Sequence, residues 1–249
     1  VMIFFAFGYL LVGRFSDWRD AFLYFALPLM GLSFLLSIMS VPRIQSIKVD
    51  DPILIGVRKV WENRSALWCV LSSSIYGVWI ICGGYIPSMF REVFGLSVSS
   101  VAILSAVFAL SNAASSFIGG KIIPRFGNKR VTTFCTVGIG VLFIITLSVR
   151  NMWVSITSSI VLCVLAGVNM PAASGLSLSQ LPEYKSSMMS INSATARFGS
   201  SLNFAVMGYL LHKFGWSVAS FGVGGLGILS GLIVLFFVDD PLKYKTKIS

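Results

Sequence analysis

Few residues in this sequence have a type and spacing that could support catalysis or metal binding. The nine acids lie between apolar segments or at their ends, and neither a nucleophile–base pair nor a metal-ligand spacing occurs. His212 adjoins Lys213 at the end of an apolar segment, which favours an interfacial residue over a proton carrier. The cysteines lie inside apolar segments without a CxxC pair, which indicates buried, unreactive thiols: Cys69, Cys82, Cys135 and Cys163. We therefore expect no enzyme, no cofactor and no metal site.

The composition is typical of a membrane protein. Of the 249 residues, 56% are hydrophobic and 11% are charged, and the mean hydropathy is +0.87; soluble domains carry roughly 25% charged residues. A transmembrane helix needs about 20 mainly apolar residues. Seven segments meet this length: 21–41, 66–90, 98–118, 131–149, 152–174, 188–211 and 216–238. Residues 1–13 are also apolar, but this segment is shorter than a full span. We therefore expect the chain to begin within a helix and to have eight spans, the first of which is cut short.

The basic residues predict how these spans are oriented. The chain has 19 Lys and Arg against 9 Asp and Glu, a net charge of +10. The odd-numbered loops carry five basic residues, whereas the even-numbered loops and the C-terminal tail carry thirteen. Cytoplasmic loops are rich in Lys and Arg, so we expect the second set and the C-terminus to be cytoplasmic. This bias accounts for the net charge without a nucleic-acid partner.

Residues 42–65 form the one long polar connection. Apolar residues from Ile53 to Trp61 recur at near-helical spacing, with charged residues between them. Two interpretations stay open: a short helix on the inner membrane surface, or a solvated linker. In either case two spans precede this segment and six follow it.

A short motif recurs 200 residues apart and predicts two related halves. Gly8-Tyr9-Leu10-Leu11 returns as Gly208-Tyr209-Leu210-Leu211, and Phe, Trp and Phe follow both copies at similar distances. Both copies close one span and open the next in the same direction, so the repeat is parallel. The first copy would then belong to the fifth span of an earlier set of six. We expect a twelve-span parent protein, whose missing N-terminal helices are partners of this chain.

With these features the sequence resembles helices five to twelve of the major facilitator superfamily of secondary transporters. A helix 5–6 signature carries part of the resemblance: Gly8, Gly13, Trp18, Arg19 and Phe22. Residues 120–130 resemble the family's cytoplasmic loop motif, G-x-x-x-D-R-x-G-R-[KR], although Pro124 stands in the acidic position, so a charge relay through that carboxylate is expected to be absent. The matching residues of the loop motif are Gly120, Arg125, Gly127, Lys129 and Arg130.

Physical roles follow for this loop motif. We expect Gly120 and Gly127 to permit a close helix approach and a tight turn. The three basic residues would anchor to anionic lipid or cap helix C-termini at the inner face. Topology alone would also explain a basic inner loop, and a gating role implied by the family stays open beside it.

A water-filled path needs polar side chains, and three spans are rich in them: 98–118, 152–174 and 188–211. These spans match helices eight, ten and eleven, which line the cavity in the family. Close helix packing would explain most of the serines, so we favour the asparagines for the path. The path candidates are Tyr76, Trp79, Ser105, Asn112, Ser116, Asn169, Asn192, Arg197 and Asn203. Gly224, Gly225, Gly227 and Gly231 are interpreted as packing residues.

Arg197 is the only charge well inside a span. It lies nine residues into its segment, about 13 Å at 1.5 Å per residue. It is either a functional intramembrane group or, if the helix begins nearer Ser193, a guanidinium that reaches the inner interface. A substrate-anion site is the less favoured interpretation.

The predicted fold is an all-α polytopic membrane protein, a truncated major facilitator fold. Residues 1–41 are the last two helices of the N-terminal half, 42–65 a central cytoplasmic linker, 66–238 the six-helix C-terminal half and 239–249 a cytoplasmic tail. The predicted function is ion-driven efflux of small organic compounds through the cell or inner membrane, with protons as the coupling ion and lipid as the surroundings. Uptake of a sugar or organic acid, or a non-transporting scaffold or enzyme, are the alternatives. Because the acids lie at span ends, we expect the proton-coupling carboxylate in the missing helices.

Overall fold

The computed structural model describes residues 23–24, 27–40 and 53–240 of the chain. Within these ranges the backbone is almost entirely helical and no strand occurs, which confirms the all-α fold. In chain order the helices are α1 (Leu27–Ser40), α2 (Ile53–Glu62), α3 (Arg64–Ile75), α4 (Val78–Glu92), α5 (Val98–Phe126), α6 (Asn128–Ser148), α7 (Met152–Gln180) and α8 (Lys185–Phe237).

Four of the described helices, α5 to α8, are long and apolar enough to cross a membrane. Helix α8 has 53 residues and breaks at Gly215, whose φ of 79° and ψ of −179° are not helical. Glycine adopts this backbone conformation without steric cost. The break divides α8 into α8a (185–214) and α8b (216–237), each long enough to span about 30 Å of hydrocarbon. The predicted connection between residues 211 and 216 is therefore confirmed.

The segment 66–90, predicted as one span, is divided into two helices by a short break. Helix α3 ends at Ile75 and α4 begins at Val78, with Tyr76 and Gly77 between them. Hydropathy does not reveal this break because both helices are apolar.

Two other predicted spans are longer than expected at one end. Helix α5 continues through Pro124 to Phe126, and α7 continues to Gln180. The hydropathy pattern ends at the first polar residues, whereas backbone hydrogen bonds allow a helix to continue into the polar region.

The described helices after residue 63 form one bundle. We call one end of it the basic end, because the start of α3, the α5–α6 turn and the end of α7 meet there, with Arg64, Lys121, Arg125, Lys129 and Arg130 on these elements. A cluster of buried apolar side chains lies towards the opposite end: Ile86, Met89, Phe90, Phe143, Leu162 and Met207. A second cluster lies at the basic end: Val60, Cys69, Leu176, Met188 and Val234.

Helix α2 is amphipathic, and its apolar side packs on the bundle. Val60 is 2% exposed within the cluster at the basic end, whereas Trp61 on the other side is 63% exposed. The segment 42–65 therefore contains a helix whose buried side faces protein. Hydrogen bonds from Lys59 (3.0 Å) and Arg58 (2.7 Å) hold the pKa of Glu62 below its ordinary value.

Glycines bring the helix backbones of the bundle into contact. A Cβ atom at Gly140 of α6 would lie 2.6 Å from the carbonyl oxygen of Gly224 of α8b, and one at Gly231 would lie 2.5 Å from a methyl of Val137. The predicted packing role is thus found for Gly224 and Gly231, whereas a Cβ at Gly225 would meet nothing within 4 Å in the described part of the chain. Lipid cannot supply a hydrophobic force between helices, so close contact at small residues holds them together.

The closest crossing joins α3 to α8a. A Cβ atom at Gly199 would overlap the backbone carbonyl of Ser74, and one at Gly77 would lie 2.7 Å from Cα of Ser200. Backbone atoms cannot move aside as a flexible side chain can, so any side chain at these positions would push the helices apart.

We therefore predict that Gly199→Ala lowers the free energy of unfolding by about 1–3 kcal/mol through overpacking. The measurement is thermal unfolding of the protein in detergent. Gly225→Ala in α8b is the matched control, and we expect it to be neutral or slightly stabilising because alanine favours helix. Equal melting temperatures for the two variants would contradict the crossing.

Candidate substrate path and the basic end

Asn112 joins α5 to α7. It is 3% exposed, and its Nδ2 donates a hydrogen bond of 3.1 Å to the backbone carbonyl of Cys163. The two helices are in contact here because a Cβ at Gly167 would overlap Ser115 and Asn112. Asn112 is therefore enclosed between helices in this conformation, and its place on a polar path stays a prediction.

Asn203 closes the break between α3 and α4. Where a helix ends, its last carbonyl groups lose their intrahelical donors. Nδ2 of Asn203, which is 6% exposed, donates to the carbonyl oxygen of Ile75 at 3.1 Å. The side chain thus satisfies the end of α3 and connects the break to α8a, next to the tight contact at Gly77.

The remaining path candidates differ in burial. Ser105 and Asn169 are buried, whereas Tyr76, Ser116 and Asn192 are half-buried, and Tyr76 packs against the larger apolar cluster. The side chain of Trp79 lies outside the described part of the structure. Three amide oxygens are buried without a hydrogen-bond partner among the described residues: those of Asn112, Asn169 and Asn192. A buried acceptor without a donor costs about 1–3 kcal/mol, so these oxygens could accept from water or a ligand.

Arg197 is exposed on α8a, together with Ser193 and Ser201 on the same side of the helix. No carboxylate lies within ion-pair distance of it among residues 53–240. The guanidinium of Arg197 was expected to reach the inner interface if the helix began near Ser193. Helix α8a begins at Lys185, eight residues earlier, so this condition is not met. Arg197 lies about 18 Å along the helix from Lys185 and about 24 Å from Lys213.

The loop motif lies mostly within helices. The residues from 120 to 126 belong to α5 and those from 128 to 130 to α6, so Gly127 alone, with φ of 83°, forms the predicted tight turn. The expected close approach is not found at Gly120 among the described residues, where a Cβ would meet nothing within 4 Å, whereas one at Gly119 would lie 3.2 Å from Val168 and Pro171.

The basic side chains of the motif lie around this turn. Arg125 and Arg130 are exposed, and Lys129 is half-buried. The helix 5–6 signature residues, Gly8, Gly13, Trp18, Arg19 and Phe22, lie outside the described residues.

A carboxylate reaches the α5–α6 turn from elsewhere in the chain. Oδ2 of Asp240, which follows α8b, would lie 3.5 Å from a Cβ at Gly127, and its Oδ1 is buried without a hydrogen-bond partner within the described ranges. Because Pro124 stands in the acidic position of the loop motif, the sequence predicts no acid there. The tertiary structure places one beside the turn, at the N-terminus of α6, where the helix dipole favours negative charge.

A closed ring of hydrogen bonds at the basic end was not predicted from the sequence. Ser65 Oγ donates to Gln180 Oε1 (2.6 Å), Gln180 Nε2 donates to the carbonyl of Asp239 (3.1 Å), and the Asp239 amide donates to Ser65 Oγ (2.8 Å). We call these three residues the polar ring. Beside it, Asn63 caps α3 through the amide of Ala66 and donates to the Gln180 carbonyl at 3.4 Å.

The polar ring connects the start of α3 with the ends of α7 and α8b. Ser65 and Gln180 are 115 residues apart, so no local pattern could reveal their contact. The only sequence signal is Asn63 directly before an apolar segment, which is typical of a helix N-cap.

The sequence profile of the Major Facilitator Superfamily matches residues 67–249, well over half of the chain. This range contains all the candidate path residues and the loop motif described above.

Several curated proteins are similar in sequence. The protein named uncharacterized transporter YybO of Bacillus subtilis is 26% identical over 75% of this chain and 46% of its own length. The probable sulfoacetate transporter SauU of Cupriavidus necator is 25% identical over 63% of this chain and 37% of its own length. The quinolone resistance protein NorA of Staphylococcus aureus is 26% identical over 71% of this chain and 46% of its own length. The chain thus spans less than half the length of these relatives.

We predict that Gln180→Ala lowers the free energy of unfolding by about 1–3 kcal/mol, because it removes the acceptor of the Ser65 O–H and the donor to the Asp239 carbonyl. Chemical or thermal unfolding in detergent measures this. Ser179→Ala is the control, since Ser179 Oγ donates only to Leu176 of its own helix. The ring would have no stabilising role if both variants unfolded alike.

Proposed function

Because the chain belongs to the major facilitator superfamily, we propose that it forms part of a secondary active transporter that moves a small organic compound across a membrane. The observation that carries this proposal is the family match over residues 67–249, which coincides with the helices long enough to cross a membrane. Buried amide oxygens without donors and an exposed arginine on α8a support a polar path along the bundle.

Efflux is the direction we propose. NorA, one of the relatives, is named for quinolone resistance, and a transporter in the membrane confers resistance by removing the drug from the cell. A second candidate is uptake of a small organic acid. SauU, a relative of similar identity, is named as a probable sulfoacetate transporter, and an arginine without an ion-pair partner among the described residues suits an anionic substrate.

Protons are the coupling ion that we propose. A coupling carboxylate must gain and lose a proton within the membrane, where burial raises its pKa. The acids in the described ranges are at helix ends or in connections: Glu62, Glu92, Glu183, Asp239 and Asp240. We therefore assign the coupling group to helices other than α2–α8.

Transport in opposite membrane orientations tests function and direction together. The native protein would be expressed in cells, and inside-out and right-side-out vesicles prepared. For efflux we expect saturable, pH-gradient-driven accumulation of a quinolone in inside-out vesicles, abolished by a protonophore. Sulfoacetate accumulation in right-side-out vesicles would instead favour uptake. Vesicles without the protein are the control, and no saturable flux of either compound would contradict both candidates.

We also propose that the basic end faces the cytoplasm, with the C-terminus, in the cell or inner membrane. On a background without native cysteines, single cysteines replace Phe126 at the basic end and Ser99 at the opposite end, both exposed. From outside intact cells, an impermeant maleimide is expected to label the cysteine at 99 but not the one at 126, because basic loops stay inside. Cell lysis should make both react. The reverse pattern in intact cells would overturn the orientation.

A further inference from the structure

The exposed side of α8a has a polar stripe with a charge at its centre. Ser193, Arg197 and Ser201 recur every four residues, which places them on one face of the helix, and all three are exposed. In the membrane-length helices that the structure describes, the other Lys and Arg residues lie in the first or last two turns: Lys121, Arg125, Lys129, Arg130, Lys185 and Lys213. Arg197 is therefore the one cation at depth there.

Its depth makes contact with lipid chains costly. Helix α8a has 30 residues and is about 45 Å long, whereas the hydrocarbon core is about 30 Å thick. If the core is centred on the helix, Arg197 Cα lies about 10 Å inside its nearer boundary. A charge at this depth needs water or a partner of opposite charge.

The packing of α8a leaves this guanidinium without a partner in the bundle. The opposite side of the helix is occupied by α3, through the contact at Gly199 and the Asn203–Ile75 hydrogen bond. No carboxylate lies within 4.0 Å of Arg197 in the part of the chain that the structure describes. The small serines one turn before and after it leave space around the guanidinium, and their hydroxyls can donate to an oxyanion.

We propose that Arg197, with Ser193 and Ser201, binds the carboxylate or another oxyanion group of an organic acid that the protein transports. The guanidinium presents two parallel N–H donors that match a carboxylate, which gives both affinity and orientation. This assignment rests on the proposed transport function, and it specifies the substrate class of that path.

The first test uses charged thiol reagents and needs no substrate. The full protein, with its native cysteines replaced, is reconstituted in phosphatidylcholine vesicles. In this background Ser201→Cys places a thiol about 6 Å from Arg197. We compare the rates at which two methanethiosulfonates modify this thiol, the anionic sulfonatoethyl reagent and the cationic trimethylammonioethyl reagent. We expect Arg197→Gln to reduce the anionic-to-cationic rate ratio roughly tenfold, and Arg197→Lys to preserve it. A cysteine at Phe134, an exposed apolar position on α6, is the control for lipid-facing sites.

Three outcomes of this test would overturn the proposal. If the Ser201→Cys thiol reacts with neither reagent, the face is not open to water. If the rate ratio does not depend on Arg197, a carboxylate elsewhere in the protein neutralises it. Phosphatidylglycerol in the vesicles lowers the anionic-to-cationic rate ratio at every site through its surface potential, so the difference between Arg197 and Arg197→Gln is compared with and without it. If phosphatidylglycerol abolishes that difference, a lipid headgroup is the ligand.

The second test separates the site from the transport function. Quinolones and sulfoacetate both carry a carboxylate, so for either transported compound Arg197→Gln should raise KM at least tenfold, with partial rescue by Arg197→Lys. Flux that is unchanged in Arg197→Gln overturns the anion site and leaves the transport function intact. If the unsubstituted protein moves neither compound, the proposed function fails and the reagent rates alone decide the site.

Discussion

Helix α3 lies in the fork between the two segments of α8, and the rest of the bundle depends on that contact. At the basic end Ser65 belongs to the polar ring; further along, Ser230 of α8b donates to the Ser72 carbonyl at 2.9 Å; and the Ser74 backbone touches Gly199 of α8a. In a membrane, helices gain little from the hydrophobic effect on association. Direct backbone contact and hydrogen bonds must therefore hold them, and α3 makes hydrogen bonds with both segments and direct backbone contact with α8a.

This contact also decides which side of α8a is free. Because Gly199 and Asn203 face α3, the helix cannot rotate about its axis without losing the crossing and the hydrogen bond to Ile75. Arg197 is then held on the open side of the helix. The same hydrogen bond satisfies the carbonyl at the α3–α4 break.

At the basic end, residues distant in sequence make a polar cap on an apolar bundle. The polar ring joins three helix ends, and each hydrogen bond in a closed ring polarises the next. Asp240 extends this cap to the turn at Gly127, where the loop motif has proline in place of its acid. A carboxylate therefore lies beside this turn although the motif itself lacks one.

The sequence by itself determined the helical class, most of the membrane-length helices, the glycine turn at residue 127 and the family resemblance. These features follow from hydropathy, glycine and local motifs, which act over a few residues. It singled out Arg197 as an unusual charge, but did not tell on which side of the helix it would be free. The tertiary structure alone decided the α3–α4 break, the close approach at Gly119 instead of Gly120, the polar ring and the position of Asp240. Each of these depends on partners more than 40 residues apart, and contacts at that separation are set by how helices pack, which no local pattern in the chain encodes.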